Sequence, residues 1–361
     1  MKNSLILSFI FLLYTNIGLA QAAPQTVKLE NYSLSVKTNF TCAGVIDKRI
    51  VKSNIGYVKV GLEDRKTTAL LNGNFTETIH NHINGMLRPS EYPEQIFILI
   101  HELYIKEDKV SLSRRGLCKI EIEFVQQIDT SYYSLGIYSS ITEKFGLNIT
   151  KYHGTAISKC LQQCIHDFVQ SNWIRNARRV KIDLNIPTPT YDYTSIPPKG
   201  RYESFAKLVR NMSFEKRDFT LTSNKNGEVK RFKIKEEEIR FAPVEVNYIS
   251  DGTYLYINAS NYSESNYFIR AKQTGRYIYF EDRFSDVGAS VVFGLIGAAA
   301  TNKLRGMVLD TANGEISELS DYHILHLLKD YPDIKASYEK SKQERIEREA
   351  ALLSLNNKFR D

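Results

Sequence analysis

The chain has 361 residues, enough for about two domains of ordinary size, each with its own hydrophobic core. Its 48 basic and 41 acidic residues leave a net charge of +7, a mild excess that forms no nucleic-acid footprint. Four cysteines (Cys42, Cys118, Cys160 and Cys164) are too few for a disulfide scaffold in a chain of this length.

Met1-Lys2-Asn3 followed by the apolar run Leu5–Tyr14 has the pattern of a secretory signal peptide, assigned to residues 1–22. Gly18, Ala20 and Ala22 supply the small side chains that signal peptidase needs, placing cleavage after Ala20 or Ala22. The run falls short of the ~20 residues of a membrane span, so no insertion is expected once it is removed. Its loss takes Lys2 with it, leaving 47 basic and 41 acidic residues and a net charge of +6. Export to the periplasm or the outer-membrane surface follows, with no nucleic-acid partner. No cysteine near the cleavage site offers a lipid anchor. The sequons at Asn31, Asn39, Asn74, Asn148, Asn211, Asn258 and Asn261 are read as composition rather than glycosylation sites.

Residues 23–185 read as an α+β domain. Ile55–Leu62 alternates, with Val58, Val60 and Leu62 on one face, and runs into the polar turn Glu63-Asp64-Arg65. Asn74 with Glu77 three residues on forms a capping-box-like helix start, and Ile79, Ile83, Met86 and Leu87 keep helical spacing until Pro89. Ile96–Ile105 is apolar except at His101 and Glu102 and predicts a central strand. Cys118–Val125 alternates, with Ile120, Ile122 and Phe124 inward and Lys119, Glu121 and Glu123 on a wet face. Tyr132–Thr142 predicts another strand. Ile157, Cys160, Leu161, Cys164, Ile165 and Phe168 form one buried helical stripe, with Trp173 just beyond it. The order predicts a mainly antiparallel sheet with helices on one face. A strand ending in Asp64-Arg65, a helix, paired strands and a late helix near Trp173 resemble small α+β envelope domains, the auxiliary lipoproteins of lipid-transport and envelope-assembly systems. The lipid-anchoring cysteine of those proteins is absent.

Residues 186–199 read as a proline-rich linker, in which Pro187, Pro189, Pro197 and Pro198 favour an extended, semi-rigid connector. Residues 200–321 read as a mainly-β module. Turn signals at Asn226-Gly227, Asp251-Gly252, Thr274-Gly275 and Asn313-Gly314 fall beside alternating runs, as hairpins require. Gly200-Arg201-Tyr202, Asp251-Gly252 before Tyr256-Ile257-Asn258, and Gly275-Arg276-Tyr277 resemble exported two-domain proteins of the Bacteroidetes. Asp310–Glu315 and Leu327–Pro332 fit the same picture. That resemblance implies a source and a compartment but carries over no site residue. Residues 322–361 read as a helical charged tail. Ile324, Leu325, Leu327 and Leu328 are placed to dock, followed by a solvated, protruding helix without heptads.

Val287–Ala300 is an uncharged run of mostly small residues. As a helix it would reach only about 21 Å against a hydrocarbon core of ~30 Å. Burial in the fold's own core is expected, an oligomer contact comes second, and lipid third.

The search for chemistry assigns no catalytic, cofactor-binding or metal-ligating residue. His80 and His82 point about 200° apart on a helix, and His101-Glu102 lacks the second histidine of a zinc protease. His323 and His326 lack a third ligand at suitable spacing. Cys160 and Cys164 lie on an apolar stripe where free cysteine packs as a small hydrophobe. Cys42 and Cys118 remain open to pairing, since sequence does not give connectivity. The tyrosines from Tyr248 to Tyr279 suit an adhesive surface as well as plain strands. The expectation is an exported envelope protein, a non-catalytic module that binds or scaffolds another envelope protein or itself. The alternatives are a secreted hydrolase with a site assembled around His82, His101 and Glu102, and a self-assembling or membrane-associated protein using Val287–Ala300.

Overall fold

The computed structural model describes residues 23–30, 36–61, 65–110, 113–147, 149–176, 179–213, 219–223, 228–234, 237–239, 246–263, 267–272, 274–284 and 303–360. The signal peptide 1–22, Asp64, the Asn226-Gly227 turn and Val287–Ala300 lie outside them.

The first half carries β1 (Gln25–Val27), β2 (Val36–Asp47), β3 (Gly56–Val60), β4 (Arg65–Leu71), α1 (Phe75–Met86), β5 (Leu87–Val110), β6 (Ser113–Ile128), β7 (Ser131–Gly146), α2 (His153–Gln170), α3 (Trp173–Asn176) and β8 (Val180–Ile182). Its eight strands form one sheet in the order β1-β4-β3-β5-β6-β7-β8, with β2 pairing β5. The fold is α+β and the sheet is mixed. β5 through β8 run antiparallel, as the alternation of β6 predicts, whereas β2 and β3 run parallel to β5. A parallel pair needs a long crossover, and between β2 and β5 the chain forms β3, β4 and α1.

Both long helices feed the core on one side of this sheet. Asn74 Oδ1 caps α1 by accepting from Glu77 N at 3.1 Å, and Ile79, Ile83 and Met86 are buried as their spacing predicts. All six residues of the predicted α2 stripe are fully buried. Phe168, at the end of that stripe, stacks on Phe124 with centroids 3.9 Å apart and on Trp173 at 5.2 Å.

The four cysteines are free and buried, which corrects the open Cys42–Cys118 pairing. Cys42 pairs with Ile96 of β5 and Cys118 with Ile105 of the same strand. The two cysteines therefore lie on opposite sides of β5 and nine residues apart along it. That separation is far beyond the ~7 Å Cα limit for a disulfide. A thiol reagent is expected to label the native protein negligibly and the denatured, unreduced protein at all four cysteines. Fewer than four labels after denaturation would reveal a bridge.

Residues 186–199 contain no helix or strand, yet they are anchored at both ends. Lys48 Nζ donates to Leu184 O at 2.6 Å and Ile186 O at 2.9 Å, and Ser250 Oγ donates to Pro197 O at 2.6 Å. Tyr191 is buried against Phe205.

Beyond them come β9 (Gly200–Tyr202), α4 (Phe205–Val209), β10 (Phe219–Ser223), β11 (Glu228–Ile234), β12 (Glu237–Ile239), β13 (Tyr248–Ser250), β14 (Leu255–Asn258) and β15 (Phe268–Arg270). They form an antiparallel sheet in the order β10-β11-β15-β14-β13-β9, with β12 on β11. The Asp251-Gly252 turn joins β13 to β14. Gly252 has φ +90°, and Asp251 Oδ1 accepts from Thr253 N and Tyr254 N, both at 2.7 Å. A second, three-stranded sheet contains β16 (Tyr277–Phe284), β17 (Lys303–Asp310) and β18 (Glu315–Glu318). β16 and β17 pair along their whole length, up to Phe284 opposite Lys303.

The tail forms α5 (Asp321–Leu327), α6 (Pro332–Glu339) and α7 (Arg345–Asn357), and here the expected protruding helix is corrected. α7 buries Ala351, Leu352 and Leu355 with Ile324, Leu328, Tyr279 and Val308 in a core of their own. Asn356 fixes the helix to the strand, its Nδ2 donating to Tyr277 O at 2.8 Å and its Oδ1 accepting from Tyr277 N at 2.9 Å. Ala351, Leu352 and Leu355 dock α7, and two of the charges before them assist, Arg345 pairing with Glu281 of β16 and Arg348 with Asp321 of α5. Among the described residues, no helix is long and apolar enough to cross a membrane.

Candidate functional site

The site originates in a break of strand parity. Ile96, Ile98 and Ile100 of β5 face the helices, and so do Leu103 and Ile105, which strict alternation would put on the other side. A register shift against β6 between Ile100 and Glu102 makes His101 the extra residue of a β-bulge. The bulge turns Glu102, Tyr104 and Lys106 to the face that carries Lys119, Glu121 and Glu123 of β6.

This face was expected to be wet, but the second module covers it. Glu102, Lys106 and Glu123 are each less than a tenth exposed. Lys119 pairs with Glu203 of the second module and stands 3.6 Å from Glu102 Oε2. α4, capped by Ser204 Oγ accepting from Lys207 N, presents Lys207 to Glu121 at 2.8 Å, with Arg210 at 3.5 Å. His101 Nε2 meets Glu123 Oε2 at 2.8 Å, and Lys106 Nζ donates to Ser260 Oγ at 3.1 Å. Near the β17–β18 turn, Asn54 Nδ2 donates to Glu315 Oε1 at 3.1 Å.

Burial alone would raise the Glu121 and Glu123 carboxyls, but hydrogen bonds from Lys207 and from His101 hold both below the usual value. Their contribution to stability is therefore complete above the ordinary glutamate pKa and is lost as pH falls through the lower native values. The stability gap between wild type and Glu121→Gln is expected to narrow as pH drops from about 5 to about 3, followed by urea unfolding. A gap that stays constant over that range would contradict this.

Within the seam lies a cavity of about 60 Å³. Ile50, Val51, Ile55, Leu103, Phe205 and Ile316 supply apolar wall, and Tyr57, Tyr104 and Tyr248 supply aromatic wall. Burial holds these three phenols above the ordinary tyrosine range, so they stay neutral. The polar groups include Arg49, His101, Glu102 and Asn247, with Asn54, Ser204 and Asn261 beside them. Arg49 is committed: its Nε and Nη2 donate to Asp47 at 2.9 and 3.0 Å, and its Nη1 donates to Asn54 O at 3.0 Å. Glu102 Oε2 and Asn247 Oδ1 are both buried with no hydrogen-bond partner. A buried polar atom without a hydrogen bond costs about 1–3 kcal/mol; for Glu102 Oε2 the Lys119 ammonium 3.6 Å away offsets part of that cost.

Of the three residues suspected from sequence, His101 and Glu102 line this cavity and His82 does not. His82 sits half-buried on α1, where burial pushes its imidazole pKa down. His80 Nε2 lies 3.1 Å from Cys42 O, and His323 Nδ1 lies 3.2 Å from Glu318 O. Among the described residues, no three His, Cys, Asp or Glu side chains converge as a metal site. Asn247, Tyr57 and Tyr104 had no reading from sequence, and Tyr248 was read only among the tyrosines that suit an adhesive surface. The broken alternation at His101-Glu102 was the one local signal that pointed toward them.

The fold and the site define a class: an α+β module fixed through a charged seam to a mainly-β module, with a small cavity in the seam. Residues 200–359 match the model of a family of unknown function, DUF6563. A solved protein from Xanthomonas campestris, of family model DUF330, is similar at 10% identity over 42% of this chain and 93% of that one. Its TM-score of 0.26 carries no argument. No curated protein matches.

Proposed function

We propose that the chain is an exported cell-envelope protein, a non-catalytic binding module that holds a small polar ligand in the cavity between its halves. Pockets concentrate at module junctions, with apolar walls and a few placed polar groups. The observation that carries the reading is a mostly apolar cavity in the seam between the two modules, walled by Tyr57, Tyr104, Tyr248 and Phe205, with the polar residues His101, Glu102 and Asn247 in its lining. The signal-peptide pattern of residues 1–22 supports the compartment.

The test is a ligand-observed NMR screen of small amides, amines and carboxylic acids against the purified protein. At least one compound is expected to bind wild type and to lose binding in Ala206→Val, which extends a cavity-lining side chain. A screen without binders, or binding unchanged by Ala206→Val, would overturn the reading.

A further inference from the structure

We infer that β7 pairs edge to edge with the same strand of a second copy of this chain, in a two-fold dimer that stands independently of the ligand reading above. β8 pairs only with Tyr132, Tyr133 and Ser134 of β7. Among the described residues, no strand pairs with that edge from Gly136 to Gly146, the last residue of β7. A free edge is a template for another strand unless charge, proline or a short length blunts it. This one is long, about 36 Å at ~3.3 Å per residue. It has no proline, and its two charges are engaged within the chain. Glu143 pairs with Arg115 at 3.6 Å, and Lys144 Nζ lies 4.4 Å from the centre of the Tyr152 ring.

The side chains along the edge select the partner. Ile137, Ile141 and Phe145 are 58, 58 and 57% exposed. They stand opposite Glu123, Lys119 and Arg115 of β6, on the face that the second module covers over β5 and β6. The inter-module seam thus continues outward into an uncovered apolar stripe. The three residues are spaced four apart and centre on Ile141, and the free edge Gly136–Gly146 centres on Ile141 as well. An antiparallel copy placed about that point therefore uses the whole edge. Ile141 then faces the partner's Ile141, Ile137 the partner's Phe145, and Gly136 the partner's Gly146. Glu143 faces the partner's Ser139, so no like charges oppose one another. A slip of two residues would set Ile137 against the partner's Glu143 and Ile141 against the partner's Ser139. A slip of one would put the partner's stripe on the other face. The two-fold consumes the edge of both copies and closes the assembly at a dimer. One strand edge buries little area, toward the end of the size range near ~1,200 Å² where reversible complexes lie, so association follows concentration.

Sedimentation velocity of the purified protein from ~1 μM to ~1 mM tests this, a range in which weak contacts become populated. The sedimentation coefficient is expected to rise to that of a dimer and no further. Ile141→Lys, which sets two ammonium groups face to face on the axis, is expected to weaken association at least about tenfold. Register is read by oxidative cross-linking. The four native cysteines are buried, so an introduced surface cysteine is the accessible thiol. Ile141→Cys brings the two Cα atoms to about 4.5–5.5 Å, within disulfide reach, and is expected to give a covalent dimer. Phe145→Cys leaves its two thiols eight residues apart along the pair, about 26 Å, and is expected to give none. Because Ile141→Cys reports the contact directly, a misfolded Ile141→Lys leaves the inference decidable. A monomer at every concentration would overturn it. So would a dimer indifferent to Ile141→Lys, or cross-linking as fast through Phe145→Cys as through Ile141→Cys.

Discussion

Phe168→Ala is expected to lower the unfolding free energy by about 3–5 kcal/mol, the range for removing a buried aromatic ring from a packed core. Phe168 is fully buried and touches four other rings: stacked on Phe124 and Trp173, and edge-on to Phe40 and Tyr138 at 5.4 and 5.7 Å. Those partners come from β2, β6, β7 and α3, so no single element can shift to fill the space. The lost ring contacts add to the cavity, since aromatic pairs contribute beyond their buried area. Urea unfolding followed by circular dichroism measures the loss. A change below about 1 kcal/mol would place Phe168 outside the core described here.

Gly56→Ala is the second large effect, and its cause lies in the backbone. Gly56 begins β3 with φ +120°, a conformation that alanine adopts only under strain. A Cβ there would stand 1.9 Å from Ile105 O and 2.8 Å from Ile105 N of β5. No rotamer change relieves a clash with main chain, so β3 must separate from β5. A cost of about 3 kcal/mol or more is expected from strain and clash together. Gly56 also lines the cavity, so the variant is expected to lose ligand affinity along with stability. Gly85→Ala is the contrast. That glycine lies within α1 with nothing within 4 Å of its would-be Cβ, and alanine there is expected to stabilise by about 0.5–1 kcal/mol. Denaturation midpoints moving in opposite directions would bear out both assignments. A tolerated Gly56→Ala would contradict the β3–β5 register.

Much of the fold was legible because periodicity is a local property. The α2 stripe from Ile157 to Phe168, the Asn74 cap and the Asp251-Gly252 turn are each fixed by neighbours within a few residues, and each stands where its spacing indicates. The site was only half legible. Lys119, Glu121 and Glu123 alternate with Ile120, Ile122 and Phe124 whether their charges meet water or meet Lys207 and Arg210 from a segment some 85 residues away. Alternation reports which side chains leave the core; it does not report what covers them. His101-Glu102 read as an interruption in an apolar strand because a bulge inserts one residue without any turn residue to mark it. Asn247 and Tyr248 follow residues 240–245, which lie outside the description, and nothing in their own vicinity ties them to β5. The docking of α7 was obscured by the dense charge of Lys340–Glu349, although Ala351, Leu352 and Leu355, which fix it, follow directly.

The most direct test of the account is a high-resolution crystal structure of the purified protein. It is expected to show Lys119 against Glu203 and Lys207 against Glu121 across the seam, with the cavity lined by Tyr57, Tyr104, Tyr248 and Phe205 open between the modules. A separated pair of modules, or a cavity closed by its own side chains, would contradict it.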